Sequence, residues 1–419
     1  MTRPLRVCLD ARVNPGKSGG LEQFVIGMAA GLSSLCDGDE EYHFLVDRES
    51  SSWLTPFLGG RCRLLETRRP ESQNLKRSIA SIRSVRLVWD WVSPALGDVT
   101  VTVPVSDGTI ERAQIDVMHM TLQLGFITDI PSIYHPHDLQ YLHLPRYFSR
   151  RQRLASRVYQ RTLSNRAKLV AVSSTWCKQD VVHQYGISDE KVKVVPLAPA
   201  SSAYAVPTAL EIRDTQTRFS LPPAFAFYPA QTWPHKNHTA LLKSLAWLRD
   251  RRGLRIPFVS SGFKNSFFPS IEKVIHDLKL ESQVRFLGFV SPLELKCLYA
   301  SCRCVLVPTK FEAASFPLWE AFLAGAPAAC SNVTSLPQQA GDAALIFDPD
   351  NVEEMADAIE RLWTDESLRT NLVALARAKV AQFSWKATAT TFRAYYRQLG
   401  NRNMTPEDHS ILAARTSLI

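Results

Sequence analysis

No apolar run among the 419 residues approaches the roughly 20 that a membrane-spanning helix needs, so a spanning protein is not expected. There is no sustained low-complexity tract either. With 45% hydrophobic residues the chain can bury a core, which excludes disorder as its main state. Cysteine is present but unorganised: the eight, at positions 8, 36, 62, 177, 297, 302, 304 and 330, are scattered through apolar patterns. Cys297, Cys302 and Cys304 lack a second cluster or a histidine pair at zinc spacing, so buried thiols in a reducing cytoplasm are expected rather than a metal knuckle or a disulfide framework. The opening Leu5-Arg6-Val7-Cys8-Leu9-Asp10 is a short strand bounded by charge, which predicts neither a signal peptide nor an anchor.

A chain of 419 residues is too long for one ordinary core and divides most naturally in two. Strand and helix patterns alternate through both halves, which predicts two doubly wound parallel sheets. The first half carries candidate strands at 5–9, 42–46, 62–66, 116–120, 132–135, 168–173 and 192–196. The second carries them at 225–228, 257–260, 284–287, 304–308, 327–331 and 344–347. Between Pro199 and Pro223 the chain is rich in Ala, Ser, Thr and Pro without an apolar period, and 200–223 reads as a linker between domains at 1–199 and 224–384. Helices at about 352–364, 366–382 and 385–398 close the chain, and the stretch 401–419 reads as a polar tail without assignment.

The most informative segment is Phe311-Glu312-Ala313-Ala314-Ser315-Phe316-Pro317-Leu318-Trp319-Glu320-Ala321, where two glutamates with seven residues between them straddle a break from strand into helix. The strand Cys304-Val305-Leu306-Val307-Pro308 ends at a proline, and Pro317 suits the first turn of a helix that runs to Gly325. In an open parallel sheet such a loop lies at the carboxyl edge of the strands, where ligands bind, and the helix start offers backbone N–H groups to an anion. Carboxylates that accept hydroxyl protons beside a phosphate cradle describe a nucleotide-sugar site.

The turn at Gly325-Ala326-Pro327, the segment Ser335-Leu336-Pro337-Gln338-Gln339-Ala340-Gly341 and then Phe347-Asp348-Pro349 follow in order. With them the chain closely resembles the retaining glycosyltransferases of family 4, from Gly19-Gly20 to about Ser384-Trp385. The resemblance implies an α/β chain of GT-B fold, two Rossmann-like domains facing a cleft, with the last helix (about 385–400) crossing back onto the first domain. It implies a retaining, metal-independent transfer of a hexose from a nucleotide diphosphate sugar to a glycan or glycolipid acceptor, without a cofactor. A GDP-mannose-type donor is suggested by the general pattern of the C-terminal half.

By the same resemblance, Lys236 in Tyr228-Pro229-Ala230-Gln231-Thr232-Trp233-Pro234-His235-Lys236-Asn237 is the cation for the leaving diphosphate, Glu320 accepts the ribose hydroxyls and Glu312 holds hydroxyls of the sugar. The chain departs from the family where many relatives have arginine five or six residues before that lysine, since Ala230 and Gln231 stand there, and His235 is the candidate substitute. The usual Gly-Phe-Gly after the first glutamate is here Ala313-Ala314-Ser315. The N–H groups of Ser315 and Phe316 remain the expected phosphate donors, with the Ser315 hydroxyl. The base is expected near Gly262 and the turn leading to Val290.

In the first half, Gly16-Lys17-Ser18-Gly19-Gly20 opens an apolar-faced helix at 21–35. It is not a P-loop: position 11 is alanine and the lysine precedes the glycine pair. Gly19 and Gly20 suit close approach to the donor or acceptor. Tyr134-His135-Pro136-His137-Asp138-Leu139 ends a strand with its polar residues directed at the cleft; the resemblance gives His137 the donor sugar and Asp138 its orientation. His119 is a second cleft candidate. These histidines lie on different strands without the i, i+4 spacing of a zinc helix, so a metal is not expected.

From Arg146 to Lys168 there are eight basic residues and no acidic one, with Arg146, Arg150, Arg153, Arg157 and Arg161 spaced for one helical face and Leu154, Val158 and Leu163 on the other. An anionic counterpart is expected, namely membrane headgroups or a lipid diphosphate acceptor, which would place the protein at the inner membrane surface. Nucleic acid is not, since no reading motif or interleaved stacking aromatics accompany the stripe. Two other readings stay open: a nucleotide-sugar epimerase or hydrolase of the same architecture, and a catalytically silent carbohydrate-binding protein.

Overall fold

A computed structural model describes residues 3–16, 18–67 and 101–414. Lys17, the segment 68–100 and the last five residues of the tail lie outside the described residues. By its internal contacts the chain forms two compact units. The first comprises residues up to Ser173, Lys178–Val195 and the C-terminal part from Ala389; the second holds Ser174–Cys177 and Pro196–Thr388.

Among the described residues, the first unit is built on seven parallel strands: β1 (Leu5–Asp10), β2 (Glu40–Asp47), β3 (Cys62–Thr67), β4 (Val117–Met120), β5 (Ser132–Tyr134), β6 (Leu169–Val172) and β7 (Val192–Val194). Their spatial order is β3-β2-β1-β4-β5-β6-β7. The second unit has six: β8 (Ala226–Pro229), β9 (Phe258–Ser261), β10 (Val284–Phe286), β11 (Cys304–Val307), β12 (Ala328–Ser331) and β13 (Leu345–Phe347), in the order β10-β9-β8-β11-β12-β13. Each strand lies within two residues of its predicted position. The fully buried central strands β6, β9, β11 and β12 are continuous apolar or small runs, as a parallel sheet covered on both faces requires, and β4 is apolar except for His119.

Topology then positions the chemistry. The chain winds outward from β1 to β3 and returns at β4, and outward from β8 to β10 and returns at β11. The crevices at the carboxyl ends of the pairs β1/β4 and β8/β11 are therefore the switch points where open α/β sheets bind ligands. Gly19, Gly20 and His119 flank the first; Lys236, Glu312 and Glu320 flank the second.

Three segments differ from the sequence reading. The stretch 200–223 belongs to the second unit and contains the helix Ala209–Arg218, started by a capping box in which Thr208 accepts from the Glu211 amide and Glu211 from that of Thr208. A short polar helix has no apolar run to announce it, although Thr-x-x-Glu is itself a helix start. Next, Arg146 is not on the basic helix. That helix spans Arg150–Arg166 because Ser149 and Gln152 form a capping box, and Arg146 sits before it in a tight turn, with its guanidinium 4.9 Å from the centre of the Tyr147 ring. Finally, the tail forms a helix, Pro406–Ala414, tied down where Asp408 accepts from the Thr405 amide (2.8 Å) and pairs with Arg397 (2.8 Å). The helix Trp385–Leu399 starts in the second unit and packs within the first from Ala389 onward.

Candidate functional site

In the second unit the segment after β8 makes a tight turn, Pro234–Lys236, and Asn237 follows in the left-handed conformation (φ 60°) before the helix His238–Arg252. The Asn237 side chain donates to Pro308 O (3.0 Å) and Pro349 O (2.8 Å), so the β8 loop, the end of β11 and the Asp348-Pro349 turn are held by one buried amide. That fixes the backbone of Lys236. Its Nζ reaches Glu312 Oε1 at 2.5 Å, with both side chains partly accessible. The Glu312 backbone is held by Thr334, whose hydroxyl bridges its amide and carbonyl, and by Ser335 Oγ at 2.9 Å from the carbonyl.

Glu320 lies in the helix Phe316–Ala324 and is buried, its Oε2 accepting from Tyr299 Oη at 2.8 Å. Burial raises its pKa to about 7, opposed by the Tyr299 hydrogen bond and the charge of Lys296. The carboxyl is therefore poised between its neutral and charged forms near neutrality, and occupation by hydroxyl donors would favour the charged one.

Ser315 does not present its amide to a ligand. Its N–H donates to Gln339 Oε1 (2.8 Å), its carbonyl accepts from Gln339 Nε2 (2.7 Å), and its hydroxyl caps the Leu318 amide (3.4 Å). A side chain 24 residues further along uses the groups that the local sequence left open. The Phe316 amide makes no hydrogen bond among the described residues and is the N–H that the helix start offers to an anion.

His235 does not provide a second fixed cation. Burial, with the adjacent Lys236 charge and His238, pushes its pKa down to about 2, and His238 is held to about 3 by burial and Lys236. Both are neutral imidazoles near pH 7. Gln231, at one of the positions where arginine was missing, accepts from Trp233 Nε1 at 2.8 Å.

Gly262 has φ 132°, and a Cβ there would sit 2.4 Å from Ala230 O and 2.8 Å from Gln231 N. Only glycine lets the β9 end pass so close to the β8 loop, and its N–H continues the ladder to Gly288 O at 2.8 Å. Val290 is buried in the core of this unit, two residues beyond Gly288 (φ 76°).

In the first unit, Gly19 caps the helix Gly20–Ser33 with φ 55° and ψ −126°, a conformation suited to glycine. Glu22 in the first turn accepts from the Gly16 amide at 2.8 Å, so part of the loop's N–H capacity is met by the protein itself. His137 occupies left-handed backbone (φ 63°), uncommon for a residue with a Cβ. Its Nε2 is 2.7 Å from Thr121 O; a carbonyl only accepts, so this nitrogen carries the proton and Nδ1 keeps a lone pair. Burial lowers the His137 pKa to about 4. Asp138 Oδ1 accepts from the Gln140 amide (3.0 Å) at the start of the short helix Gln140–His143, a structural task the sequence reading did not assign. His119 and His135 are not open to solvent: both are fully buried, and both ring nitrogens of His135 lack hydrogen-bond partners among the described residues. No group of three or more His, Cys, Asp or Glu among the described residues is arranged to hold a metal ion.

The two parallel α/β units have the GT-B fold. Residues 57–198 match the description Glycosyltransferase Family 4 and residues 211–379 match Glycosyl transferases group 1. The chain is 29% identical over 262 residues to O-antigen chain mannosyltransferase B of Escherichia coli, covering 62% of this chain and 68% of that protein. It is also 29% identical over 232 residues to the serotype-specific mannosyltransferase WbdA of Escherichia coli, covering 54% of this chain but only 28% of that longer protein. Among solved structures, Anabaena HepE in complex with UDP and glucose superposes with a TM-score of 0.69 at 16% identity, covering 94% of this chain and 100% of that one. Together the two family matches and these relatives support a glycosyltransferase.

Proposed function

We propose that this protein is a retaining glycosyltransferase that moves a hexose, mannose first among the candidates, from a nucleotide diphosphate sugar to a glycan or lipid-linked acceptor. The observation that carries the reading is the meeting of Lys236 with Glu312, 2.5 Å apart, at the β8/β11 switch point. A cation fixed by Asn237 and Tyr228 is suited to negative charge that grows on the bridging oxygen as the glycosidic bond breaks. In this reading Glu312 takes hydroxyls of the hexose, Glu320 those of the ribose, and the Phe316 amide a phosphate oxygen. The base rests on the backbone at Gly262 and Val290. Within the first unit, His137 and Asp138, with Gly19 and Gly20, are the candidate sugar contacts. Neutral His235 contributes a hydrogen bond rather than a charge.

Retention follows from departure of the leaving group on the face that the acceptor attacks. The acceptor oxygen bonds to the anomeric carbon as the bond to the diphosphate breaks, and a phosphate oxygen takes the acceptor proton. Lys236 and the helix start stand in for a divalent cation, so the transfer is metal-independent. The exposed Arg150, Arg157 and Arg161 of the basic helix suit an anionic membrane face or lipid diphosphate, and no helix among the described residues is long and apolar enough to cross a membrane.

The reading is tested by incubating the protein with GDP-mannose, UDP-glucose and related donors and following its melting temperature, then determining by NMR the anomeric configuration of product on an oligosaccharide acceptor. Selective stabilisation by one donor and an α-linked product from an α-donor are expected. Stabilisation by none, or a β-linked product, overturns it.

A further inference from the structure

The first unit contains an unusual construction around His137. Three imidazoles from the ends of β4 and β5 lie nearly parallel: His119 and His135 at 6.4 Å with 3° between planes, His135 and His137 at 4.2 Å with 10°. Phe24, from the helix that Gly19 caps, stands edge-on to all three at 6.3, 4.9 and 5.5 Å. The far end of the row is fixed by the helix Trp385–Leu399. Phe392 and Tyr396, four residues apart and so on one helical face, pack on His119 at 4.6 and 5.9 Å, and Tyr396 Oη lies 2.7 Å from His119 Nδ1.

The protonation states follow from surroundings. Tyr396 is fully buried with its pKa raised well above the ordinary value by burial, so it is a neutral phenol able to donate to Nδ1 of a neutral His119. His135 has both nitrogens buried without partners among the described residues, an arrangement an apolar ring would avoid, so no hydrogen bond there accounts for its place. What His135 does make is a flat face against His137. His137 needs such support, because left-handed backbone at a residue with a Cβ persists only where the surroundings impose it. Thr121 O fixes one edge of its ring through Nε2, and the His135 face fixes its plane. Nδ1 is thereby aimed in one direction as an acceptor for a hydroxyl.

We propose that Tyr396 is a positioning residue for His137, acting through the stacked His119 and His135, so that the helix Trp385–Leu399 sets the angle at which His137 receives the hexose. This rests on the reading that His137 meets the donor sugar. Tyr396 touches no substrate in this scheme. Its hydroxyl anchors one end of the row whose other end does.

The test uses the full chain labelled with 15N in histidine. Tyr396→Phe removes only the hydroxyl. The His137 ring signals, assigned by their loss in His137→Ala, are expected to shift or broaden, and kcat to fall by about tenfold to a hundredfold, as small misplacements at a reacting group do, with donor KM within about twofold. A second pair of variants separates positioning from packing: His135→Phe keeps a flat ring and should retain kcat within about threefold, whereas His135→Leu should lose tenfold or more by the same misplacement. Unmoved His137 ring signals in Tyr396→Phe, or equal kcat in His135→Phe and His135→Leu, overturns the proposal. If His137→Ala transfers hexose normally while Tyr396→Phe still moves the ring signals, the coupling stands and the role of His137 in transfer falls.

Discussion

Lys236 and Glu312, from loops 76 residues apart in sequence, form an ion pair with Nζ 2.5 Å from Oε1, and neither side chain is more than one-fifth exposed. In the proposed reading the two are partners only while no donor is bound. A diphosphate competes with Glu312 for the ammonium, and a sugar hydroxyl competes with Lys236 for the carboxylate. Leaving either charge single in a partly buried site would be costly, so the pair keeps both satisfied until the donor separates them. Lys236→Ala should therefore lower kcat by roughly 10² to 10³-fold, the scale of losing one preorganised group at a developing charge. Steady-state kinetics against donor decide it: a raised KM with intact kcat would make the lysine a holder of substrate and move leaving-group stabilisation elsewhere. Arginine keeps the charge but changes its shape and is not expected to rescue.

Metal independence makes a separate claim. If Lys236 and the Phe316 amide meet the diphosphate, excess EDTA should leave the rate within about twofold, because nothing in the transition state depends on a divalent ion. Loss of activity with EDTA and recovery on adding magnesium or manganese would replace the fixed cation with a bound one.

The parts of this arrangement that were legible in the sequence are those set by local pattern. Buried parallel strands are mostly apolar runs, so the positions of β1 to β13 could be read directly, whereas the strand order that makes the switch points came from the structure. Loop positions of Lys236 and Glu312 followed from the strands that precede them. What could not be read was pairing at long range. Gln339 occupies the Ser315 amide from 24 residues away, and Tyr396 reaches His119 across 277. The neutral state of His235 depends on how deeply the β8 loop packs, which a charge count does not show. Arg146 looked helical because arginine spacing was weighed above Ser149, whose capping box starts the helix four residues later.

The basic helix gives a prediction at the membrane. Arg150, Arg157 and Arg161 are exposed, whereas Arg153 is half-buried with its Nε unpartnered among the described residues, so three of the predicted five are open to an anionic surface. Each contributes about 1 kcal/mol near an anionic bilayer, and replacing the three by glutamine should weaken binding about a hundredfold at low salt. Flotation with phosphatidylglycerol vesicles measures it. Equal binding by the variant would return the helix to an ordinary solvated face.

Two glycines separate backbone necessity from open space. Gly262→Ala places a Cβ 2.4 Å from Ala230 O at φ 132°, so the β8 loop carrying Lys236 must shift. At Gly288 (φ 76°) nothing lies within 4 Å of the added Cβ. The first substitution should cost on the order of 3 kcal/mol and donor binding with it; the second only about 1 kcal/mol, for left-handed backbone. Chemical denaturation and donor titration of both variants provide the check. Similar losses at the two positions would show that close approach at Gly262 is not what holds the loop.

In the proposed reading Glu320 links stability to donor use through its protonation. Burial raises its pKa from 4.5 to about 7, so between those values the folded state binds the proton that the unfolded state releases. Stability from this group is fully present below about 4.5 and is lost as pH rises through about 7, the sign for an acid held neutral by burial. At pH 8 the wild-type protein carries a buried carboxylate at a cost of up to roughly 3 kcal/mol, since each tenfold change in proton affinity is worth about 1.4 kcal/mol. Glu320→Gln keeps an acceptor for Tyr299 and removes that cost, so it should melt higher than wild type at pH 8 and nearly equal to it at pH 5. Donor use should move the opposite way. Ribose hydroxyls bind best to the charged carboxylate, so donor KM should fall as pH rises through about 7 in wild type, and Glu320→Gln should lose about tenfold or more in kcat/KM together with that pH dependence. A glutamine variant with unchanged donor kinetics would remove Glu320 from the ribose site, while one that melted lower at pH 8 would mean that the carboxylate is fully compensated by Tyr299 and Lys296.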